Sequence, residues 1–314
     1  MARLVVARLF QAVIVLLLLT LVVFALLRLV PGDPILQILG PYADRETMER
    51  LREQLGFNQP VYEQYASWLG NLLRGDLGDS IISRQSVMEI LTGRIPVTLQ
   101  VALGAWAVTI AIGLPAGIIA ALTRNRWPDY LFSIFAVGGV AMPSFWLAIM
   151  MIIVFAVHLG WVPTSGFVSP TTDFWKSMQL SLMPWLVAGV GGAAVLMRQT
   201  RSALLEVLGQ DYIRTATAKG LTHRVVVLRH ALRNAMIPIV TIIGLAVGNL
   251  LAGAVIVEVV FGLPGMGRLL VESLWTHDYP VVQGIVLIVG ISVVLSNLLV
   301  DIAYGWLDPR VRYG

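Results

Sequence analysis

The residues able to do acid–base, nucleophilic or metal chemistry are few in this chain and do not form a recognisable active site. The histidines are His158, His223, His230 and His277, and no two of them make a His-Glu-x-x-His pair. Cysteine is absent, which excludes disulfides and thiolate metal sites. His158 and the Ser165-Gly166 dipeptide could suggest an intramembrane protease, but no Gly-x-Ser-x-Gly elbow supports this reading. A Gly-Lys-Ser or Gly-Lys-Thr phosphate loop is also missing, so any ATP that drives this protein must bind to another chain.

The composition indicates that much of the surface faces lipid. Hydrophobic residues make up 57% of the 314 and charged residues 13%, and the mean hydropathy is +0.81. A soluble domain carries about 25% charged residues. The net charge of +4 does not indicate a nucleic-acid partner, because the basic residues fall between hydrophobic stretches and not in one patch. We therefore expect an all-α integral membrane protein.

Six stretches are long and apolar enough to cross a bilayer, which takes about 20 residues per helix. They cover residues 9–27, 97–122, 131–157, 178–197, 236–257 and 281–300. The first follows Arg3 and Arg8, as a signal peptide would, but it is longer than a typical signal core and lacks a small-x-small cleavage site. We interpret it as a retained span, with a cleaved signal as the alternative. Prolines and glycines inside the stretches predict kinks and close packing.

The arginines predict the orientation. If the N-terminus is cytoplasmic, nearly all bases of the short loops and termini fall on the inside, and only Lys176 and Arg268 lie in the two shorter outer loops. Both termini should then be cytoplasmic. The expected organisation is residues 1–30 for the N-terminus and first span, 31–96 for a periplasmic loop, and 97–314 for a five-helix core.

The long outer loop has helical signals of its own. Asp44 can cap one helix, and Pro60 can begin a second that carries Tyr65 and Trp68. These helices could form an amphipathic cap on the membrane surface or a docking surface for a soluble partner. The sequence leaves both alternatives open.

Charged residues are missing from the centres of the predicted spans. Arg28, Glu258 and Asp301 lie at span ends, where we expect them to reach the interface. A charge at mid-bilayer costs at least about 2.5 kcal/mol and usually serves an ion or proton pathway. This pattern argues against a proton-coupled carrier, although sodium-coupled carriers can use carbonyls and hydroxyls instead.

The largest inner segment is residues 198–235. The fourth span should continue into it as far as Leu208 and stop at Gly209, and two short helices should follow. Asp211 should cap the first, and Gly220 follows it at the position of a left-handed C-terminal cap. One face of this helix is formed by Ile213, Ala216, Thr217 and Gly220, and the residues at its centre are small. The helices are too short to bury a core alone. They must pack on the inner ends of their own bundle or fit a groove on a cytosolic partner.

The same segment carries a family resemblance. Asp211-Tyr212-Ile213-Arg214-Thr215-Ala216, Ala218-Lys219-Gly220 and His230-Ala231-Leu232-Arg233-Asn234-Ala235 resemble the cytoplasmic "EAA" loop of binding-protein-dependent ABC permeases, especially the dipeptide/oligopeptide/nickel subfamily. Further motifs occur in the family's order: Pro31-Gly32-Asp33-Pro34, Gly75-Asp76-Leu77-Gly78, Met142-Pro143, Gly262-Leu263-Pro264-Gly265-Met266-Gly267-Arg268, Asp278-Tyr279-Pro280 and Leu307-Asp308-Pro309-Arg310. The resemblance therefore covers nearly the whole chain.

This resemblance implies a type I ABC importer permease fold in the bacterial inner membrane. It implies a non-catalytic subunit that forms half of a pathway for dipeptides, oligopeptides or a related solute such as a nickel complex or glutathione. A second homologous permease, two cytosolic ATPases that bind ATP and Mg, and a periplasmic or lipid-anchored binding protein would be the partners. No cofactor or metal is implied for this chain.

The resemblance also implies which residues couple the permease to the ATPase: Tyr212, Arg214, Thr215, Ala216, Lys219 and Gly220. The general pattern has glutamate where this chain has Arg214, so the transfer is best supported at Ala216 and Gly220. Two alternatives from other classes are a self-sufficient secondary carrier or channel and a membrane enzyme. The first predicts ion-driven transport by this chain alone, and the second lacks a nucleophile or metal constellation.

Overall fold

The computed structural model describes residues 2–29, 35, 39–40, 44–54 and 57–307. The Pro31-Gly32-Asp33-Pro34 motif and residues 308–310 lie outside the described residues, as do the side chains of Arg28 and Asp301. The helices are α1 (Ala2–Leu29), α2 (Arg45–Gln54), α3 (Val61–Leu73), α4 (Val87–Leu122), α5 (Trp127–Ala141), α6 (Ser144–Met151), α7 (Phe174–Leu208), α8 (Asp211–Ala218), α9 (His223–Val225), α10 (Leu232–Val260), α11 (Met266–Trp275) and α12 (Tyr279–Leu307). Two π-helical segments extend these elements: Ile152–His158 follows α6, and Val226–Ala231 joins α9 to α10.

The expected all-α membrane architecture is confirmed. Four helices are long and apolar enough to cross a bilayer, within α1, α4, α7 and α12, and two bent helix pairs bring the total to six if each pair is one span. In the described part of the chain the only β pairing is an isolated bridge between Asp79 and Ser86.

The third predicted span is not one continuous helix. It breaks at Met142-Pro143, and the arms on either side lie at 106° to each other. Pro143 is the N-cap of α6 and lacks the N–H that would continue α5. The fifth span bends by 49° near Pro238, whereas Pro115 and Pro184 lie inside single helices. A proline pattern alone does not predict which of these helices breaks.

Several boundaries also differ from the sequence prediction. The helix of the second span begins at Val87, ten residues before the predicted start at Val97. The fourth span continues to Leu208 and ends at Gly209, as predicted. The short helix α11 was missed, because ten residues between two spans give little periodic signal. In the outer loop, Asp44 does cap α2, since its carboxylate accepts the Thr47 N–H at 2.9 Å.

The centre of the bundle is a parallel pair, α4 and α7. Gln100 contacts Ser181, and further along both helices Gly113 lies against Ala193. A Cβ at Gly113 would lie 2.7 Å from the Ala193 carbonyl oxygen, and one at Gly189 would lie 2.7 Å from the Ala105 carbonyl oxygen. The two helices can approach this closely only because both positions are glycine.

The parallel pair defines two ends of the molecule. Thr98 meets Glu258 and Trp106 meets the Ile243 carbonyl, so α10 runs antiparallel to α4. We call the end formed by residues 44–54, 57–86, 159–173 and 261–278 the cap end. The opposite end, formed by residues 123–126 and 209–233, is the basic end.

Candidate coupling surface

The inner segment predicted from the sequence is a pair of short helices at the basic end. Helix α8 begins at Asp211, but its N-cap is Gln210, so Asp211 supplies the first helical turn and is not the cap. Gly220 follows α8 in the left-handed conformation (φ +77°), as predicted. Its N–H donates to the Thr217 carbonyl at 3.0 Å. The left-handed glycine turns the chain sharply between α8 and α9.

One face of α8 packs on the chain itself. Ile213 and Ala216 are buried in a cluster with α7 and the π-helical start of the fifth span. The cluster's other buried residues are Ala121, Leu196, Leu204, Val226, Ala231, Ala235 and Ile239. The small-residue face was expected to meet either this bundle or a partner. Ile213 and Ala216 pack on their own bundle.

Ala216, which the resemblance implies as an ATPase contact, is buried against its own bundle and is only 8% exposed in the isolated chain. Its small side chain lets α8 approach that bundle closely. A polar contact adds to this anchor, because Asn234 Nδ2 donates to the Tyr212 hydroxyl at 2.9 Å.

The other predicted residues of this set lie on the surface. Tyr212, Arg214, Thr215, Lys219 and Gly220 are all exposed. Arg214 pairs with Asp211 at 3.5 Å within the same helix, in full contact with solvent, so this pair adds little stability. A Cβ built at Gly220 would meet nothing within 4 Å. We call these five exposed residues the handle surface.

The structure adds apolar residues that the sequence reasoning missed. Leu221, Val225 and Leu228 are exposed beside the handle surface, on the turn and on the start of the fifth span. Large apolar side chains exposed together commonly mark an interaction site. Val225 and Leu228 are three residues apart, a spacing typical of neighbours on a helix surface, whereas Leu221 lies on the turn before the helix and gives no such signal.

The handle surface and its apolar neighbours are suited to binding a partner and do not form a catalytic site. Exposed bases surround the apolar residues, at Arg214, Lys219 and Arg224. No group of three or more His, Cys, Asp or Glu residues that could hold a metal ion occurs among the described residues. The arrangement fits a protein surface with an apolar centre and acidic groups at its edge.

A groove runs along α4 from the cap end. It has a volume of about 750 Å³ and is mostly apolar, with Pro96, Leu99, Leu103, Phe167 and Trp185 among its lining residues. Residues 96 to 111 of α4 contribute to it, which corresponds to about 22 Å of helix. The groove therefore runs from the cap end towards the middle of the bundle.

The main polar group of this groove is Gln100. Its side-chain amide donates to Ser177 at 2.9 Å and to Ser181 at 2.8 Å, and its backbone carbonyl accepts the Trp185 indole N–H at 3.0 Å. These bonds hold Gln100 of α4 against α7. Elsewhere, Met142, Phe145 and Trp146 are half-exposed at the break between α5 and α6, and the structure does not bring them into the groove.

Glu258 was expected to reach the membrane interface, but the structure buries it inside the protein. It is fully buried at the cap end of α10, where it accepts hydrogen bonds from the Thr98 hydroxyl (2.7 Å) and the Arg268 backbone N–H (3.0 Å). Thr98 in turn accepts the Met266 N–H at 2.8 Å. The carboxylate thus holds the positive N-terminal end of α11 against α4 and α10.

Two of the sequence motifs meet at the cap end. Asp278, of the Asp-Tyr-Pro motif, is buried and accepts hydrogen bonds from the Ser80 hydroxyl and the Ile81 N–H, the latter at 3.1 Å. Gly284 in the same region packs against Val87. The turn after the Gly-Asp-Leu-Gly motif is thereby held against the start of α12.

Comparison with known proteins supports the family resemblance over the whole chain. The family model "Binding-protein-dependent transport system inner membrane component" matches residues 113–313, and the model of the N-terminal part of such components matches residues 1–102. The "Glutathione transport system permease protein GsiC" of Escherichia coli strain K12 is 43% identical over 313 residues, with 100% of both chains covered. GsiC of E. coli O6:H1 and of Shigella flexneri serotype 5b match at the same identity and coverage. With its helical bundle and membrane spans, the chain belongs to the inner membrane components of binding-protein-dependent transport systems.

Proposed function

We propose that this permease forms half of the translocation pathway for a small peptide, paired with a second homologous permease and driven by two separate ATPase chains. The observation that carries the proposal is the end-to-end identity of 43% to permeases named for glutathione transport. Glutathione is a tripeptide, so the substrate class is a short peptide or a solute of similar size. A periplasmic or lipid-anchored binding protein would deliver it.

The handle surface is suited to receiving energy from a separate ATPase chain. The chain has no phosphate-binding loop, so it cannot hydrolyse ATP by that route itself. Helix α8 is anchored on one side by Ile213 and Ala216 and exposed on the other. A push on the exposed side is passed through the packed cluster to α7 and α10. Coupling requires such an element, whose position both subunits can bias.

The coupling residues we propose are those of the handle surface: Tyr212, Arg214, Thr215, Lys219 and Gly220. Ala216 takes the different role of an anchor. The exposed Leu221, Val225 and Leu228 extend the same contact area.

The orientation proposed from the arginines agrees with this assignment. The basic end would face the cytoplasm, where the ATPases are, and the cap end would face the periplasm and the binding protein. Both chain termini would then be cytoplasmic, and the protein would be a multi-pass component of the inner membrane.

The test is uptake by reconstituted vesicles. The tagged chain is purified with its co-expressed partner permease, ATPases and binding protein, and uptake of labelled glutathione and of a labelled dipeptide is measured with and without ATP. We expect uptake of one of these only with ATP and the complete set of chains. Ion-gradient-driven uptake by this chain alone would show that it is a secondary carrier and refute the proposal.

A further inference from the structure

Helix α3 is attached to the first membrane span within the apolar part of that span. The Thr20 hydroxyl lies 2.9 Å from the Tyr65 hydroxyl. The ring of Phe24 is buried under Tyr65 and Trp68, at centroid distances of 5.1 and 5.6 Å. These contacts fix where α3 lies along α1.

The contacts also fix the depth of α3. The apolar stretch of α1 runs to Leu27, before Arg28, so Phe24 is three residues and Thr20 seven residues from its end. Seven residues correspond to about 10 Å along a helix axis. A tyrosine that reaches Thr20 therefore belongs to a helix at the boundary of the hydrocarbon region and not to one that stands off in water.

The face of α1 below this contact is uncovered. One and two turns further into the span on the same side, Leu17 is 50% exposed and Val13 is 53% exposed. These side chains lie at bilayer depth, and nothing in the described part of the chain covers them, so acyl chains can reach them. Helix α3 lies directly above this open face of α1.

Helix α3 has an uncovered apolar side of its own. Successive residues of a helix are about 100° apart. On this basis Tyr62, Leu69 and Leu73 form a stripe next to the side of α3 that contacts α1. Glu63 and Ser67 lie on the side of α3 that is farthest from α1. Tyr62 is 72% exposed and Leu73 is 81% exposed. The stripe and the lipid below α3 are complementary in chemistry.

We propose that α3 is an interfacial helix that binds the lipid of the leaflet at the cap end, with Tyr62, Leu69 and Leu73 in contact with the acyl-chain boundary. Tyrosine and tryptophan favour this depth, because their rings are apolar and their polar atoms reach the headgroups. The sequence left a membrane-surface cap and a protein-docking surface as alternatives for this segment, and the proposal chooses the lipid. It requires only that the chain spans the membrane, so it is independent of the solute carried.

The test uses the natural absence of cysteine, which makes every introduced cysteine a unique labelling site. Single variants Tyr62→Cys, Leu73→Cys, Glu63→Cys and Ser67→Cys are labelled with a nitroxide in the full-length chain, assembled with its transport complex in phospholipid vesicles. Collisions of each label with oxygen, which concentrates in lipid, and with a water-soluble nickel chelate are measured by electron paramagnetic resonance. Val13→Cys provides the reference for the bilayer interior.

We expect the oxygen-to-nickel collision ratio at positions 62 and 73 to exceed that at 63 and 67 several-fold and to approach the value at 13. Ratios at 62 and 73 as low as those at 63 and 67 would place the stripe in water and overturn the proposal. Low collision rates with both reagents at 62 and 73 would show that a protein covers the stripe, which also overturns it. If the label at 73 prevents assembly, Leu69→Cys replaces it on the same stripe.

Discussion

Gly220 offers the sharpest test of the handle surface, because conformational strain and steric blocking can be separated there. Its φ of +77° disfavours most side chains, by about 1–2 kcal/mol for a residue such as alanine. Asparagine tolerates this conformation better than other residues with a Cβ. The variant Gly220→Asn therefore keeps the turn and adds a side chain in space that is open in the isolated chain.

The size of the effect follows from the geometry. If an ATPase packs against Gly220, the added amide must displace atoms of that partner, which typically costs about 1–3 kcal/mol. This corresponds to a loss of affinity of roughly 5- to 140-fold between permease and ATPase. Thermal unfolding of the isolated permease should hardly change, because nothing within 4 Å of the new Cβ is disturbed.

Gly160→Asn is the matched control, since Gly160 is also left-handed (φ +63°) with nothing within 4 Å of a built Cβ, but lies at the cap end. The assay compares ATPase co-purification, substrate-stimulated ATP hydrolysis and uptake for the two variants. We expect losses only for Gly220→Asn. Normal coupling in a correctly inserted Gly220→Asn protein would refute the close approach of a partner at this site.

Three further predictions concern the packing that positions the pathway. Gly113→Ala should lower the stability of the permease by about 1–3 kcal/mol, because its Cβ would press on the Ala193 backbone. Gly93→Ala in the same helix meets nothing within 4 Å and should be neutral or stabilising. Equal melting temperatures of the two variants would contradict this. Glu258→Ala should cost about 1–3 kcal/mol for each buried donor left without a partner, measured by unfolding in detergent, and an unchanged midpoint would show that the buried carboxylate is not needed. Asp278→Ala should free the turn at residues 80–81 and increase its hydrogen exchange and proteolysis without reducing membrane insertion, and unchanged protection would show that other contacts hold this turn.

The sequence predicted the features that follow from hydrophobicity and local backbone chemistry. Span length follows from bilayer thickness, so the spans in α1, α4, α7 and α12 were located correctly. The left-handed conformation of Gly220 follows from glycine's conformational freedom. Helix α7 ends before Gly209, the residue expected to stop it, although Gly209 itself is right-handed.

Features that depend on contacts between distant segments could not be predicted. From the resemblance, Ala216 is among the best-supported partner contacts, but the structure buries it against α7 and α10, whereas Tyr212 on the same helix is exposed. Glu258 was expected at the interface, since its burial depends on Thr98 and on α11, which lies beyond it in the chain. The chain breaks at Pro143 but the helix around Pro184 is unbroken, and the residue type alone does not distinguish the two positions.

The central claim is that the energy for transport enters through the exposed side of α8. The most direct measurement is photocrosslinking in the intact, transporting complex, with benzoylphenylalanine incorporated at Thr215 on the handle surface or at Glu63 at the cap end. Both positions are exposed, so labelling alone does not distinguish them. The account predicts an adduct with the ATPase from position 215 and none from position 63. A complex that transports normally while position 215 yields no ATPase adduct, or one in which position 63 does, would contradict it.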